Sequence, residues 1–388
     1  MRLKSVALLT GSYDWDSSAS PVYEFDSRLQ NVRGVLAAHD ASALIVHGNS
    51  SEYGALAYLT NFVPKLGPAF ALIPRTGPIR LLVSGASTML SAAKRLTWVE
   101  DVRPIGDLKA SIGAWLSEVC AETNPAIGLW GHSKLALRPY SAIRGAIEAR
   151  GTILDVARPL EALRLRKSAL EVELSRKSCR VLHEAVSELT RAFHCGSGAR
   201  SAALAAERAA YQSGAQNARA LISARPGGPP LFIDSDEDRN LDPLLAYVAV
   251  RFSGYWSEGF VTLSRSPSAA LAHAQKGLAA MLQNVRDGVT FDELASIAAK
   301  QIEPYAPHAL TKNSIGNSIG LSIEEPCELP ATPAGVFSGG IYTLRCGVAG
   351  QPVDNTADNA IVSAMISGGG EHTEILWSAF DSSNGLPQ

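Results

Sequence analysis

Apolar and polar positions follow two periods along the chain, and the changes of period mark out the elements. Residues 25–40, FDSRLQNVRGVLAAHD, repeat apolar side chains three and four apart and predict an amphipathic helix. ASALIVHG, at 41–48, is a short apolar run closed by Gly and predicts a buried strand. PAFALIP and IRLLVSG flank Arg75-Thr76-Gly77-Pro78, where Gly-Pro interrupts two apolar runs and predicts a hairpin. A strand at AIGLW, a helix over PYSAIRGAIEARG and a strand at TILDVA follow. This alternation predicts a mixed α/β domain.

The pattern then changes. PLEALRLRKSALEVELSRKSCRVLHEAVSELTRAF, from Pro159, keeps Leu163, Leu170, Leu174, Val181 and Leu182 near helical spacing with charges between them, and predicts one long helix. AALAAERAAYQSG predicts another helix, and AAMLQNVRDGVTFDELASIAAKQI two helices around a Gly turn. AYVAVRFSGYWSEGFVTLSR, GIYTLRCGVAG and NAIVSAMIS read as strands. The expected boundary lies before the long helix, giving domains 1–158 and 159–388.

A length of 388 residues, 46% hydrophobic and 19% charged, fits two globular domains. The net charge of -2 supplies no basic field for nucleic acid and no polybasic membrane anchor. The apolar run in MRLKSVALLTGSYDWD is too short for a signal peptide, and no stretch approaches the roughly 20 residues of a membrane span. Cys120, Cys179, Cys195, Cys327 and Cys346 have no CxxC spacing and read as reduced thiols. A cytoplasmic protein is therefore expected. His183 and His194 read as surface residues of a helix. The glycines of residues 225–230 and 368–370 lack phosphate-loop spacing, and the acidic run 234–238 reads as a solvated loop.

Several segments carry a resemblance. PLEALRLRKSALE is similar to the LRxxKSxxE helix that opens the catalytic domain of the creatinase/aminopeptidase, or pita-bread, superfamily. NVRDGVTFDELASIA resembles that family's helix–Gly–helix, and NSIGNSIGLSIEEP resembles its HxxGHGIGLxxHEP segment. RLQNVRGVLAAHDASALIV and YLTNFVPKLGP are similar to the small N-terminal domain of prolidases, aminopeptidases P and creatinase. The resemblance implies a creatinase-like α/β domain followed by a pita-bread α+β domain.

It also implies where a dinuclear metal site belongs, and there the sequence departs from it. The two aspartates, eleven residues apart, correspond to Tyr247 and Glu258, and the metal-binding histidine to Asn317. The substrate-contacting histidine corresponds to Glu324, which precedes the retained Glu325-Pro326. One bridging glutamate corresponds to Arg345, and the last ligand stays acidic as Asp358. A further histidine falls near Leu231, where creatinase keeps its general base, and a creatinase carboxylate falls on Phe260, so creatine hydrolysis is not carried over.

No metal or other cofactor is expected at such a site. Tyr247 is neutral at pH 7, Asn317 offers a weak carbonyl donor, and Arg345 carries a permanent positive charge. The six polar replacements are expected to converge in one cleft. Glu258, Glu324 and Asp358 are candidates for proton transfer. Tyr247, Asn317, Arg345 and Glu325 are candidates for binding, with Arg345 on a substrate carboxylate. Two readings stay open. One is a metal-independent hydrolase, or related C–N bond enzyme, acting on an amino-acid-like or dipeptide-like molecule. The other is an inactive pseudopeptidase serving as a binding scaffold. For Arg345 the alternative is an ion pair with Glu258 or Asp358 that plugs the vacated cavity, and Glu325 could equally hold its loop. A thiol nucleophile at Cys327 or Cys346 has no histidine nearby to activate it. By resemblance a homodimer is expected, with the loop around Asn61-Phe62-Val63-Pro64 bordering the partner's cleft.

Overall fold

The computed structural model describes residues 11–85, 89–132, 135–223, 228–231, 238–303, 305–312, 314–326, 332–350, 358–368 and 373–380. Cys327, Gly369 and Gly370, residues 225–227 and residues 234–237 lie outside the described residues. The chain divides into two compact units, Met1–Arg164 and Leu165–Gln388.

The first unit contains α1 (Val22–Ala38), β1 (Ala43–Gly48), α2 (Gly54–Thr60), β2 (Ala69–Pro74), β3 (Arg80–Val83), α3 (Leu90–Lys94), β4 (Asp101–Pro104), α4 (Leu108–Val119), β5 (Ala126–Trp130), α5 (Leu137–Ile147) and β6 (Thr152–Asp155). Its six strands lie in the order β4-β3-β2-β1-β5-β6. The hairpin predicted around Arg75–Pro78 forms, with Ala69 opposite Val83 and Leu72 opposite Arg80. β1, β2 and most of β3 are apolar without alternation because both faces are covered, and they are buried throughout. Ile45, Phe70, Leu72, Trp115 and Leu129 form the core between this sheet and its helices. Phe62 and Val63 are buried.

The single helix expected from Pro159 is two: α6 (Ala157–Leu165) and α7 (Ala169–His194). The break has a local cause. Ser168 caps α7 by accepting from the backbone N–H of Glu171 at 3.2 Å, while the Glu171 carboxylate accepts from the N–H of Ser168 at 3.1 Å. This reciprocal capping box starts a new helix inside an otherwise continuous periodic pattern. Ser168→Ala is expected to cost about 1 kcal/mol and lower Tm by roughly 2–4 °C, measured by calorimetry; an unchanged Tm would show that the box carries no stability.

After α7 come α8 (Ala199–Gln212), β7 (Asn217–Ser223), β8 (Pro230–Leu231), β9 (Leu244–Phe252), β10 (Tyr255–Leu263) and α9 (Ala269–Gln283). Then follow β11 (Val289–Thr290), α10 (Phe291–Ile302), β12 (Ala306–Pro307), β13 (Gly316–Ser318), β14 (Gly335–Val336), β15 (Ile341–Ala349), β16 (Asn359–Ser367) and β17 (Glu374–Ser378). β10-β9-β7-β8 form one antiparallel sheet and β12-β15-β16-β17 another, with β13 paired on β15. β9 and β10 make a hairpin whose turn needs positive φ at Ser253 and Gly254.

Strand alternation decides what faces the space between the two sheets. On β10, Tyr255 and Ser257 turn toward α7, where they meet Glu171 and Ser178. Glu258, Phe260 and Thr262 project from the opposite face, and Thr262 donates to the Ile361 carbonyl of β16 at 2.9 Å. β10 thus lies against β16, and Glu258 opens onto the face that β15 and β16 share. The mixed α/β fold with two successive domains is as the sequence predicts.

Candidate functional site

Tyr247 stands on β9 and Glu258 on β10, with Tyr247 opposite Phe260 across the ladder. The Tyr247 hydroxyl donates to Glu258 Oε2 at 2.5 Å, and its ring packs on Phe260 with centroids 4.7 Å apart. Glu258 is only 2% exposed. Its Oε1 is buried beside the hydroxyl of Thr343 on β15, which acts on the carboxylate and favours its charged form. Removal from water holds the Glu258 carboxyl above the ordinary carboxylate range. The Tyr247 hydroxyl and the nearby Arg345 charge oppose that shift, and Glu324 adds to it. Burial and the adjacent Glu258 also push the Tyr247 phenol well above its usual value.

Arg345 projects from β15 and is 9% exposed. Its Nε donates to the Ser314 carbonyl at 3.1 Å, and its Nη2 to Ser314 Oγ at 3.1 Å and to Asn317 Oδ1 at 2.5 Å. Asn317, on β13, is oriented in turn by donating to the carbonyls of Ser318 and Ile323 at 3.2 and 3.0 Å. These bonds aim a guanidinium without neutralising it, for Arg345 makes no ion pair with any described carboxylate. The cavity-plugging pair with Glu258 or Asp358 is not formed among the described residues. Glu324 is exposed and close enough to act electrostatically on both Glu258 and Tyr247. The structure therefore gathers Tyr247, Glu258, Asn317, Glu324 and Arg345.

Asp358 does not join them, contrary to the expectation of a single six-residue cluster. It accepts from the Ser268 hydroxyl at 3.1 Å, the Ala270 N–H at 3.2 Å and the Tyr305 hydroxyl at 3.2 Å, at the N-terminus of α9. The register explains the displacement. Arg345 pairs across to Ser363, five residues beyond Asp358, or roughly 17 Å along an extended strand. Ser363 is buried and accepts from the Phe260 N–H at 2.8 Å. Ser363 and Thr343 are the members of this face that the sequence reading missed. Their one signal is that each is a polar residue in a strand that is otherwise largely apolar.

Glu325 has another partner. Its carboxylate meets Lys167 Nζ at 2.5 Å, and the two side chains are 2% and 1% exposed. Leu231 is exposed, His183 and His194 lie on the surface of α7, and burial pushes the Cys346 thiol up to about 12. That thiol is inert at neutral pH.

The residues at the expected ligand positions do not fit a divalent metal. Tyr247 commits its hydroxyl to Glu258, and the Asn317 carbonyl oxygen is occupied by Arg345. A guanidinium about 4 Å from a divalent ion would repel it by about 8 kcal/mol at an effective dielectric near 20. Among the described residues no group of three or more His, Cys, Asp or Glu is placed to hold a metal ion. No described helix is long and apolar enough to cross a membrane.

Residues 28–166 match the creatinase/prolidase N-terminal domain and residues 173–365 match metallopeptidase family M24. The chain belongs to the creatinase/prolidase, or pita-bread, superfamily. Solved structures agree on the fold. The prolidase from Pyrococcus horikoshii OT3 is 16% identical with a TM-score of 0.72, over 90% of this chain and 97% of that one. The X-Pro aminopeptidase from Thermotoga maritima MSB8 is 16% identical with a TM-score of 0.73, over 90% and 96%. The N-terminal domain of FACT complex subunit SPT16 from Cicer arietinum is 15% identical with a TM-score of 0.67, over 93% and 97%. No curated protein matches the chain in sequence.

Proposed function

We propose that this member of the superfamily is a metal-independent hydrolase of a C–N bond in a small carboxylate-bearing molecule, a dipeptide or an N-acyl amino acid. One observation carries the reading: a buried guanidinium and a buried carboxyl stand near each other, and neither is consumed by an ion pair with a described residue. Arg345 holds the substrate carboxylate. Glu258, with Oε2 tied to Tyr247 and Oε1 beside the Thr343 hydroxyl, takes a proton from water as the water oxygen adds to the substrate carbonyl carbon. The proton then passes to the departing nitrogen as the C–N bond breaks, releasing an amine and a carboxylic acid. A carboxyl whose pKa is raised by burial is a stronger base than an ordinary carboxylate and can return the proton to nitrogen. Glu324, at the exposed edge, is placed for a substrate ammonium group.

The fold likeness to a FACT complex subunit keeps a binding scaffold as the competing reading. Elemental analysis of the purified protein, with thermal-shift and hydrolysis assays on dipeptides and N-acetyl amino acids, separates them. The expected result is no stoichiometric metal, no Tm gain from manganese, cobalt or zinc, and both stabilisation and turnover with carboxylate-bearing amides. Tight binding of one or two metal ions that switch on peptidase activity would overturn the metal-independent assignment. Stabilisation by ligands without turnover would favour the scaffold.

A further inference from the structure

Lys167 and Glu325 form a fully buried ion pair that the mechanism above does not use. Their surroundings tie them to the site through a short route. The Glu325 N–H donates to the Ser318 carbonyl at 2.8 Å, and Glu325 Oε1 accepts from the Ser322 N–H at 3.2 Å. The segment between them turns back so that the Ile323 carbonyl accepts from Asn317 Nδ2, and Asn317 Oδ1 accepts from Arg345 Nη2. A methyl group on Gly320 would come within 3.0 Å of the Glu325 carboxylate, so the loop is closed tightly on this residue. At the other end, the Lys167 N–H donates to the Gly339 carbonyl at 2.7 Å, just before α7 begins. Lys167 therefore belongs to a backbone anchored independently of the loop.

We infer that the Lys167–Glu325 pair is a positioning element: it sets the conformation of residues 318–325, and through Ile323 and Asn317 it sets the direction of the Arg345 guanidinium. Glu325 then acts on the ligand through Arg345 and through Glu324, its exposed neighbour. The alternation of exposed Glu324 with buried Glu325 follows from this tie, since one side chain must face Lys167. The ligand-binding consequence rests on the proposed function; the conformational one does not.

Burial of an ion pair is weak evidence for stability, because two well-packed apolar side chains often do as well, whereas a lone buried charge is costly. That asymmetry gives a test. Lys167→Met and Glu325→Met alone should each lower Tm by roughly 10 °C. The double variant K167M/E325M should recover most of that loss. Two readouts are then taken on the folded double variant: the nitrogen-15 resonance of Arg345 Nε, assigned by its absence in R345A, and the affinity for N-acetylglycine and Ala-Pro. A positioning role predicts a displaced or broadened Arg345 resonance and at least a tenfold weaker affinity despite recovered Tm. A purely structural pair predicts a wild-type Arg345 resonance in the double variant, which would overturn the inference. If the wild-type protein binds neither compound, the proposed function fails while the Arg345 resonance still decides the positioning role. Should the double variant not fold, the same resonance is read in Glu325→Gln, which keeps the side-chain shape and removes the charge; an unmoved signal there equally overturns it.

Discussion

Glu258→Gln is expected to reduce hydrolysis of the best dipeptide or N-acyl amino acid substrate by about 10²- to 10⁴-fold in kcat, with KM changed little. The amide keeps the shape of the carboxyl and still accepts from the Tyr247 hydroxyl, so the fold and the ligand contacts stay in place. What it loses is the capacity to take a proton from water and return it to nitrogen. A loss confined to KM would instead make Glu258 a binding residue, and unchanged kinetics would remove it from the mechanism. The same substitution has a stability signature independent of any activity. Folding raises the Glu258 pKa through burial, so between the unfolded and folded values the native state retains a proton that the unfolded chain has released. Native stability therefore falls as pH rises through that interval and stays lowered above it. Glutamine has no such dependence. The Tm of Glu258→Gln should gain on that of the wild type as pH rises from about 4, the ordinary carboxylate range. A difference that stays flat with pH would mean that burial does not perturb this carboxyl.

Many elements of both domains were legible because periodicity and punctuation are local, but α4 (Leu108–Val119) and β7 (Asn217–Ser223) were among those not read. The hairpin at Arg75–Pro78 and the two strands meeting at Ser253-Gly254 each announce themselves by apolar runs broken at a turn. The division at Ser168 was harder to see. A capping box made of Ser168 and Glu171 sits inside a pattern that remains helical on both sides of it. The site was half legible. Tyr247 and Glu258 fall opposite one another's neighbours across a two-strand hairpin, so their eleven-residue spacing alone brings them together. Asp358 was misplaced because the sequence alone does not show which residues of β15 and β16 stand opposite one another. Only the ladder shows that Ser363, not Asp358, faces Arg345. The Lys167–Glu325 pair joins residues 158 apart, and no local pattern reports such a contact. What the sequence did carry was chemistry: an arginine in place of a carboxylate calls for a counter-charge, and no described carboxylate forms an ion pair with it.

Arg345→Ala should therefore weaken affinity for carboxylate-bearing ligands by about 10²- to 10³-fold, the loss typical when one partner of a buried charge pair is truncated. Arg345→Lys should recover part of it, since an ammonium supplies charge without the planar fork of donors. Stability gives the complementary reading through Arg345→Met, which fills much of the same volume without charge. If the guanidinium were a plug for a vacated cavity, its removal would strand Asn317 Oδ1 and the Ser314 carbonyl for no return, and Tm would drop by several degrees. A guanidinium held for a ligand carries instead an uncompensated desolvation cost, which methionine removes. The two effects offset, and Tm is expected to stay within about 2 °C of wild type or to rise, the usual exchange of stability for function at a binding site. Calorimetry of Arg345→Met beside titration of N-acetylglycine into the same protein distinguishes them. Retained affinity with a lowered Tm would return Arg345 to a structural role, and with it the proposed site would lose its anchor.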